Sequence, residues 1–360
     1  MPTIWCAISG HGFGHAAQVV PVLNELGRQV PGLTAVLRTT VSSSFFQDRL
    51  TIPWSLQPVE QDVGCVQRGP LEIDVSATWE GYRQFHATWE RRLSTETAAI
   101  AAAAPRIVLA DPPYLAVSAG KQAGIPSVVL ANLTWSEILS SLDESAAKRQ
   151  GLLDSIRRSY EEADMALRIA PGLPLSGIPK VFDIGPIAEP AESQREQLRA
   201  CLGVNRAEAV VLVGFGGIPL KTLPWDRIEH MSGYQFLVDG VPPRTLSRIH
   251  SLSVLPFSFK TILASADLVM TKPGYGTIVE AVALGLPVVY VRRYNFADEV
   301  PLVEFLHHYG VGRELSRDDF FSGHWRPALE AVAHTAPASK RPPLMSGAVE
   351  AAKSLLQYFH

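Results

Sequence analysis

The sequence predicts an α/β fold of two doubly wound domains, each built on a parallel sheet. Segments typical of buried strands alternate with segments of helical periodicity over most of the 360 residues, and this alternation favours parallel sheets covered by helices. Each half opens with a strand that runs into a glycine-rich loop. A segment rich in proline and glycine lies between the halves and is typical of an interdomain linker. The length also fits two domains rather than one.

In the first half, an apolar strand at 3–8 leads into the loop Gly10-His-Gly-Phe-Gly-His15 and a helix from Ala16 to Leu26. The other predicted elements are a strand at 33–39, an irregular stretch at 51–74, a long helical stretch at 79–104, a strand at 106–110, a helix at 113–123 and a strand at 127–131. We assign residues 1–170 to an N-terminal domain and residues 171–190 to the linker.

The second half restarts in the same manner. A helix at 195–202 precedes the unit Val211-Leu-Val-Gly-Phe-Gly-Gly217. We assign residues 191–340 to a C-terminal domain and 341–360 to a C-terminal helix. Two such Rossmann-like domains would face a central cleft with both glycine loops, because ligands bind at the carboxyl ends of parallel strands. Gly14, Gly216 and Gly217 are therefore predicted to lie close to a ligand, although a lone glycine loop is also compatible with a simple tight turn.

The stretch 271–293 is the most informative one for function. Gly274 and Gly276 leave no Cβ in a turn, so that a ligand can approach the backbone. Thr277 is predicted to open a helix whose free N–H groups suit a diphosphate. Glu280 lies one turn further along, where a carboxylate can accept the hydroxyls of a ribose. A turn for phosphate and an acid for ribose together indicate a nucleotide site.

Composition excludes several classes of protein. Lys and Arg total 32 against 35 Asp and Glu, a net charge of −3, whereas a dedicated nucleic-acid binder usually has a basic surplus. The three cysteines, Cys6, Cys65 and Cys201, follow no metal or disulfide spacing and indicate free thiols in a reducing compartment. Neither a signal peptide nor an apolar stretch of about 20 residues is found. We expect a cytoplasmic protein without a metal or cofactor, and peripheral membrane contact is left open.

The loop at 10–15 contains two histidines, His11 and His15. At the carboxyl end of a strand, a histidine can serve as a general base with a pKa near neutrality, or it can simply hydrogen-bond the loop backbone. Asp111 follows a predicted strand of the same domain. It can hold the other ring nitrogen of such a base, or it can cap the helix that begins after Pro112.

Four charged residues follow the strand at 288–291. Arg292 and Arg293 could neutralise a diphosphate or present a salt bridge to solvent. Asp298 and Glu299 lie where acids could bind sugar hydroxyls, although singly they would pass as part of a solvated loop.

The two-domain layout resembles the glycosyltransferase B fold. The motif Gly274-Tyr-Gly-Thr-Ile-Val-Glu280 is similar to the donor motif of the MurG-like and UDP-glycosyltransferase families. A closer resemblance is to the N-terminal half of plant L-arabinokinases. It runs through Gly10-His-Gly-Phe-Gly-His-Ala16, Gly274-Tyr-Gly-Thr277, Val291-Arg-Arg293 and Ser322-Gly-His-Trp325. The kinase half has no counterpart here, so sugar kinase activity is not implied.

The resemblance implies roles for particular residues. His15 matches the loop base of plant-type glycosyltransferases and Asp111 matches its partner, while His11 is an additional candidate base. Asp298 and Glu299 stand at the place of the acidic pair that contacts the donor sugar. That pair is commonly Asp-Gln, so the sugar itself is left open.

We therefore predict a metal-independent, inverting glycosyltransferase that moves a sugar from a nucleotide diphosphate, with UDP as the expected nucleotide, to a hydroxyl or amine. The acceptor, a small or lipid-linked molecule, would bind the N-terminal domain. Two alternatives stay open at this point. One is a nucleotide-sugar epimerase or hydrolase on the same fold, and the other is a non-catalytic module that binds a nucleotide-sugar.

Overall fold

The computed structural model describes residues 1–142, 146–216, 222–242 and 244–359. The strands are β1 (Thr3–Ile8), β2 (Thr34–Arg38), β3 (Trp54–Gln57), β4 (Gln67–Gly69), β5 (Glu72–Ile73), β6 (Ile107–Asp111), β7 (Ser127–Ala131), β8 (Met165–Ile169), β9 (Val181–Ile184), β10 (Ala209–Val213), β11 (Tyr234–Val238), β12 (Ile249–Ser251), β13 (Leu268–Thr271), β14 (Val288–Tyr290) and β15 (Gly312–Glu314).

The helices alternate with these strands along the chain. They are α1 (Gly14–Gln29), α2 (Ser43–Gln47), α3 (Val75–Ala87), α4 (Trp89–Ala103), α5 (Tyr114–Ala123), α6 (Trp135–Ser140), α7 (Ala146–Glu161), α8 (Arg195–Leu202), α9 (Trp225–Glu229), α10 (Phe259–Ser265), α11 (Tyr275–Leu284), α12 (Glu299–Tyr309), α13 (Arg317–Ser322), α14 (Arg326–His334) and α15 (Gly347–Leu355).

Two parallel sheets carry the fold, and the predicted α/β class is confirmed. The first sheet has the order β3-β2-β1-β6-β7-β8-β9 and the second has the order β12-β11-β10-β13-β14-β15. Central strands such as β6 and β7 are buried along their whole length, which explains their continuous apolar sequences, because a parallel sheet is covered on both faces.

Each sheet contains one point at which the strand order reverses. In the first sheet this point lies between β1 and β6, where Ile8 is the register partner of Asp111. In the second sheet it lies between β10 and β13, where Val213 pairs with Met270. Loops that leave such strands in opposite directions open a crevice, and this is where open α/β sheets bind ligands.

The structure corrects three of the predicted boundaries. The helical stretch at 79–104 is two helices, α3 and α4, because the chain breaks at Thr88 with a ψ of 20°. Asp74 starts α3 by accepting a hydrogen bond from the backbone N–H of Ala77. Helix α11 begins at Tyr275, two residues before Thr277, with Gly274 at the N-cap. The stretch at 51–74 holds β3 and the antiparallel hairpin β4–β5.

Several contacts join the two sheets and their helices. Leu71, at the tip of the hairpin β4–β5, is 2% exposed and packs in the apolar cluster of the second sheet. The hydroxyl of Tyr275 in α11 donates to the carbonyl of Ala170 and accepts from the N–H of Ile187, both at 2.9 Å. Helix α15 returns to the first sheet, where Glu350 accepts from the N–H of Gly185. The domain boundaries themselves stay a prediction; β9 lies inside the segment expected to be a linker.

Leu71 offers a direct test of the hairpin's contribution to stability. We expect Leu71→Ala to lower the free energy of unfolding by about 2–5 kcal/mol, because it removes a buried side chain and leaves a cavity. Leu344→Ala, at a side chain that is 84% exposed, is the control and should change stability little. Calorimetric unfolding of both variants checks this. If the two variants are equally stable, the packing of Leu71 on the second sheet contributes little to the free energy of unfolding.

No helix in the described ranges combines the length and the apolar character needed to cross a membrane.

Candidate functional site

The reversal point of the first sheet holds a histidine–aspartate pair. His15 lies in the first turn of α1, directly after the glycine loop, and Asp111 is the last residue of β6. His15 Nδ1 and Asp111 Oδ1 are 2.8 Å apart, and the two residues are 7% and 0% exposed. The pair forms because β1 and β6 are neighbours and end side by side. Of the two interpretations of Asp111, the structure shows contact with the histidine, and no cap hydrogen bond is made at the start of α5.

Burial and charge act on His15 in opposite directions. Burial by itself would lower the pKa of His15, but the carboxylates of Asp111, Asp62 and Asp298 outweigh it, and the pKa lies above its ordinary value. With Nδ1 bound to Asp111, the ring keeps Nε2 for a substrate. This is the arrangement that a general base requires.

His11 holds the neighbouring loop in place. Its Nδ1 accepts from the backbone N–H of Cys65 at 3.3 Å, and its Nε2 lies 3.0 Å from the amide of Gln67. The Gln67 atom nearest to His11 Nε2 is Nε2; because His11 Nδ1 accepts, its Nε2 carries the proton, and we assign the Gln67 amide the flipped orientation in which Oε1, otherwise without a partner among the described residues, accepts from it. Burial, together with the charge of His15, lowers the pKa of His11 to about 3. A ring engaged at both nitrogens is a poor candidate base, which favours His15 for that role.

The reversal point of the second sheet holds a lysine that was not predicted from the sequence. Lys272 follows β13, and a Cβ built on Gly216 would lie 3.9 Å from its Nζ. Burial and the nearby Arg293 lower the pKa of Lys272 to about 7. Gly216 itself has a φ of +74°, a conformation that favours glycine. Gly217, predicted to share this role, lies outside the described residues.

Helix α11 begins beside Lys272. Its first backbone hydrogen bond runs from Ile278 N–H to the Gly274 carbonyl, so the N–H groups that precede Ile278 have no partner within the helix. Gly274, Gly276 and Thr277 are all partly exposed there. Free N–H groups and the positive end of the helix dipole thus follow Lys272 closely in the chain, and this combination suits an anion.

Glu280 lies on α11 and is 7% exposed. Its Oε1 is 3.1 Å from the ammonium of Lys260 on α10, and that ammonium also donates to the carbonyl of Glu189. Burial raises the pKa of Glu280 against the effect of Lys260. A ribose that binds Glu280 must therefore share this carboxylate with Lys260.

Arg293 and Glu299 form a buried ion pair. Glu299 Oε1 accepts from Arg293 Nε at 2.7 Å and Oε2 accepts from the backbone N–H of Arg293 at 3.0 Å. Glu299 is 0% exposed. The guanidinium also lies 4.0 Å from the ring centroid of Phe296. Glu299 therefore holds the loop after β14. Both of its oxygens accept hydrogen bonds from Arg293, so neither is available to a ligand.

Asp298 differs from its neighbour Glu299. It is 5% exposed and its Oδ1 has no hydrogen-bond partner within the described residues. Burial raises the pKa of Asp298 to about 7 although Arg293 and Lys272 oppose it. Asp298 lies near enough to His15, and Lys272 near enough to His11, for their charges to shift the pKa values of these histidines. The groups at the two reversal points therefore lie near one another, and we refer to the space between them as the cleft.

Asp62 also belongs to this cleft and was not predicted, because it lies in a stretch without regular periodicity. It is 5% exposed and accepts hydrogen bonds from Ser9 and Trp135. Within the described ranges, no three His, Cys, Asp or Glu side chains are arranged to hold a metal ion.

No model of a known protein family matches the chain. It is 30% identical over 339 residues to the L-arabinokinase of Arabidopsis thaliana, a match that covers 92% of this chain and 32% of that protein. It is 28% identical over 205 residues to an N-acetylglucosamine transferase of Acidothermus cellulolyticus that acts on a pyrophosphoryl-undecaprenol, with 51% of this chain and 50% of that protein covered. The chain thus spans about a third of the length of the first relative and half of the length of the second.

Solved structures show the fold. The calicheamicin glycosyltransferase CalG4 superposes with a TM-score of 0.61 at 16% identity, covering 99% of this chain and 95% of that chain. UGT2 of Phytolacca americana, in complex with UDP-2fluoro-glucose and pterostilbene, gives a TM-score of 0.61 at 15% identity and covers 100% and 94%. The resemblance to L-arabinokinase and to MurG-type transferases is confirmed. The chain has the glycosyltransferase B fold.

Proposed function

We propose that this chain transfers a sugar from a nucleotide diphosphate to a hydroxyl or amine acceptor. The observation that carries the proposal is the His15–Asp111 pair, 2.8 Å apart, in the same cleft as Lys272 and the start of α11. One side of the cleft offers a base for an acceptor, and the other offers a place for an anion. A nucleotide-sugar is the substrate that uses both.

In the proposed reaction, His15 Nε2 takes the proton of the acceptor hydroxyl or amine as that group attacks the anomeric carbon. A bond forms between the acceptor atom and the anomeric carbon, and the bond from that carbon to the diphosphate oxygen breaks. Attack comes from the face opposite the leaving diphosphate, so the anomeric centre is inverted. Asp111 keeps Nδ1 protonated and stabilises the imidazolium that results.

The leaving diphosphate gains negative charge as the bond breaks. The N–H groups at the start of α11 and the ammonium of Lys272 are already in place to stabilise it, and fixed dipoles and charges need little reorganisation. We propose that these groups stabilise the leaving diphosphate without a metal ion or other cofactor. Asp298, whose buried Oδ1 accepts no hydrogen bond from a described residue and lies 4.0 Å from Arg293 Nη2, would contact the sugar.

The acceptor would approach along the loop that carries His15. Phe13, two residues before His15, is 50% exposed and stacks on Phe45 at 5.4 Å between ring centroids. We propose a small or lipid-linked acceptor on this side of the cleft. A cytoplasmic location, with peripheral membrane contact, belongs to the same proposal, and nucleic acid is not a proposed partner.

The extra buried carboxylates favour one alternative, an epimerase or hydrolase that acts on the nucleotide-sugar alone. Asp62 and Asp298 both lie near His15, and such chemistry needs more than one acid. Rapid formation of product from a UDP-sugar without any acceptor would support this alternative. Release of product only when an acceptor is added supports transfer.

The donor site is tested by nucleotide binding. In a thermal-shift screen of UDP, dTDP, GDP, ADP and CDP, we expect UDP to raise the melting temperature. UDP should bind to Lys272→Ala about tenfold to a hundredfold more weakly, because this variant loses one charge-assisted contact of about 1.5–3 kcal/mol. Glu280→Ala should lose binding as well. Lys121→Ala, at an exposed lysine of α5, is the control. Absence of binding for every nucleotide would refute the transferase proposal; a shift for a nucleotide other than UDP would reassign the donor.

A further inference from the structure

We propose that Asp62 is a positioning residue for this reaction: it holds the groups that bracket His15 and supplies negative charge that stabilises the imidazolium. Its importance for turnover rests on the proposed function. Its effect on His15 does not, and can be measured without any substrate.

The two oxygens of Asp62 connect loops that follow different strands. Oδ1 accepts from the hydroxyl of Ser9 at 2.9 Å, and Oδ2 accepts from Nε1 of Trp135 at 2.7 Å. Ser9 follows β1 and Trp135 opens α6 after β7. Strands β1 and β7 flank β6, which ends with Asp111. Asp62 therefore joins the loops on both sides of the strand that carries the partner of His15.

On the first side, Ser9 fixes the start of the glycine loop. Its backbone N–H donates to the carbonyl of Asp111 at 2.8 Å. Its hydroxyl oxygen accepts from the N–H of His11 at 3.2 Å while its proton goes to Asp62. Loss of Asp62 would leave this hydroxyl without its acceptor and loosen the loop that leads into His15.

On the second side, Trp135 limits the position of the imidazole. The Trp135 ring is 0% exposed and lies edge-on to His15, with 5.9 Å between centroids and an angle of 64°. The backbone N–H of Trp135 donates to the hydroxyl of Tyr160, which donates to the carbonyl of Pro112 beside Asp111. Trp135 is therefore held at its backbone by Tyr160 and at its indole nitrogen by Asp62, and the position of the indole limits that of the His15 ring.

The charge of Asp62 adds to this positioning. The groups that face His15 are Asp111 from β6, Asp62 from the segment after β3, Asp298 at the start of α12, and His11, which is neutral. Burial raises the pKa of Asp62 to about 6 against the hydrogen bonds from Trp135 and Ser9. Asp62 is therefore ionised above that pH, and its charge favours the protonated form of His15.

Two substitutions separate charge from geometry. Asp62→Asn keeps the size of the side chain: its amide oxygen can accept from Trp135 and its amide N–H can donate to Ser9 Oγ. Asp62→Ala removes the charge and both hydrogen bonds. Asp154→Asn, at a half-exposed aspartate of α7, is the matched control for removal of one negative charge.

The measurement is an NMR titration of histidine ring carbons in the labelled protein, with the His15 signal assigned by comparison with His15→Gln. We expect Asp62→Asn to lower the pKa of His15 by roughly one unit and Asp154→Asn to leave it unchanged. Trp135→Phe, which removes the indole N–H together with part of the buried ring, should shift it in the same direction, because the Asp62 carboxylate loses a hydrogen bond that favours its charged form. An unchanged His15 pKa in both folded variants would overturn the proposal.

Turnover supplies the second readout. In the pH dependence of sugar transfer, the acid limb of Asp62→Asn should move to lower pH with His15, and Asp62→Ala should lose up to about a hundredfold in kcat, as expected when a base is misplaced. If Asp62→Asn shifts the pKa of His15 but the unmodified protein transfers no sugar, the effect of Asp62 on His15 is confirmed and the proposed function is refuted. If Asp62→Ala transfers sugar as fast as the unmodified protein, the positioning role is wrong and the transferase proposal is unaffected.

Discussion

The His15→Ala variant is expected to lose sugar transfer by about a hundredfold to ten-thousandfold in kcat while it still binds the nucleotide, because a general base contributes a factor of this size. His15 is the residue whose free ring nitrogen faces the cleft, whereas the donor site lies on the second sheet. Initial rates with a UDP-sugar and a panel of hydroxyl acceptors, together with calorimetric titration of UDP, measure both properties.

His324→Ala and His11→Ala are the comparisons for this experiment. His324 is exposed on the second half of the chain and pairs with Asp319, so its loss should leave transfer unchanged. His11→Ala should lower activity through disorder of the loop at 64–67 and should also lower the melting temperature. If His11→Ala loses activity without losing stability and His15→Ala stays active, then His11 is the base and His15 is the residue that supports the loop.

The pH dependence of transfer should follow the raised pKa of His15. The base must be neutral to accept a proton, so activity is expected to fall as the pH drops below that pKa, at a pH above the ordinary value of about 6.5. Asp111→Asn removes the carboxylate that stabilises the imidazolium, and the acid limb should then move to lower pH while kcat falls. An acid limb that does not move in Asp111→Asn would show that another group is titrating.

Much of the fold could be predicted because its rules are local. Buried parallel strands give continuous apolar segments, so the strand at 127–131 and the helix at 195–202 were predicted with their observed bounds. The break at Thr88 was not predicted, because neither glycine nor proline marks it in the sequence. The start of α11 at Tyr275 was missed because Gly276, a poor helix residue, lies inside its first turn.

Side chains at the ends of strands could be placed in one cleft from sequence, but their partners could not. His15 and Asp111 are 96 residues apart, and only the neighbouring positions of β1 and β6 bring them into contact. Asp62 has no periodic context at all, and its two partners come from distant loops. Lys272 lies beside the glycine motif, and the signal that could have indicated it is a cation immediately before a helix start that suits an anion.

Sequence position alone did not distinguish a ligand-binding acid from an acid that holds a loop. Asp298 and Glu299 are adjacent, yet Asp298 Oδ1 accepts no hydrogen bond from the described part of the chain and lies 4.0 Å from Arg293 Nη2, whereas both oxygens of Glu299 accept hydrogen bonds from Arg293. The first residue stays a proposed sugar contact. Glu299 has the contacts of a structural ion pair. So does Arg293, which is 8% exposed and whose Nε donates to Glu299 rather than to a phosphate.

Glu299→Ala is therefore expected to destabilise the protein by about 3–5 kcal/mol, because it leaves the Arg293 guanidinium buried without its partner. Glu330→Ala breaks an exposed pair with Arg326 at 3.2 Å and should cost no more than about 1 kcal/mol. The same two residue types are thus compared in a buried and in an exposed setting. Denaturant unfolding of both variants, followed by fluorescence, measures the difference.

The double variant Arg293→Met, Glu299→Leu decides whether the pair contributes more than stability. Replacing both charges by apolar groups of similar size removes the unpaired guanidinium, although it also removes the cation 4.0 Å from Asp298 Oδ1, so part of the stability lost in Glu299→Ala should return. If UDP binding also returns, the pair is structural and Arg293 is no phosphate ligand. If the double variant is stable but does not bind UDP, Arg293 supports the donor site, either by contact with the donor or through Asp298, and the loop after β14 belongs to that site.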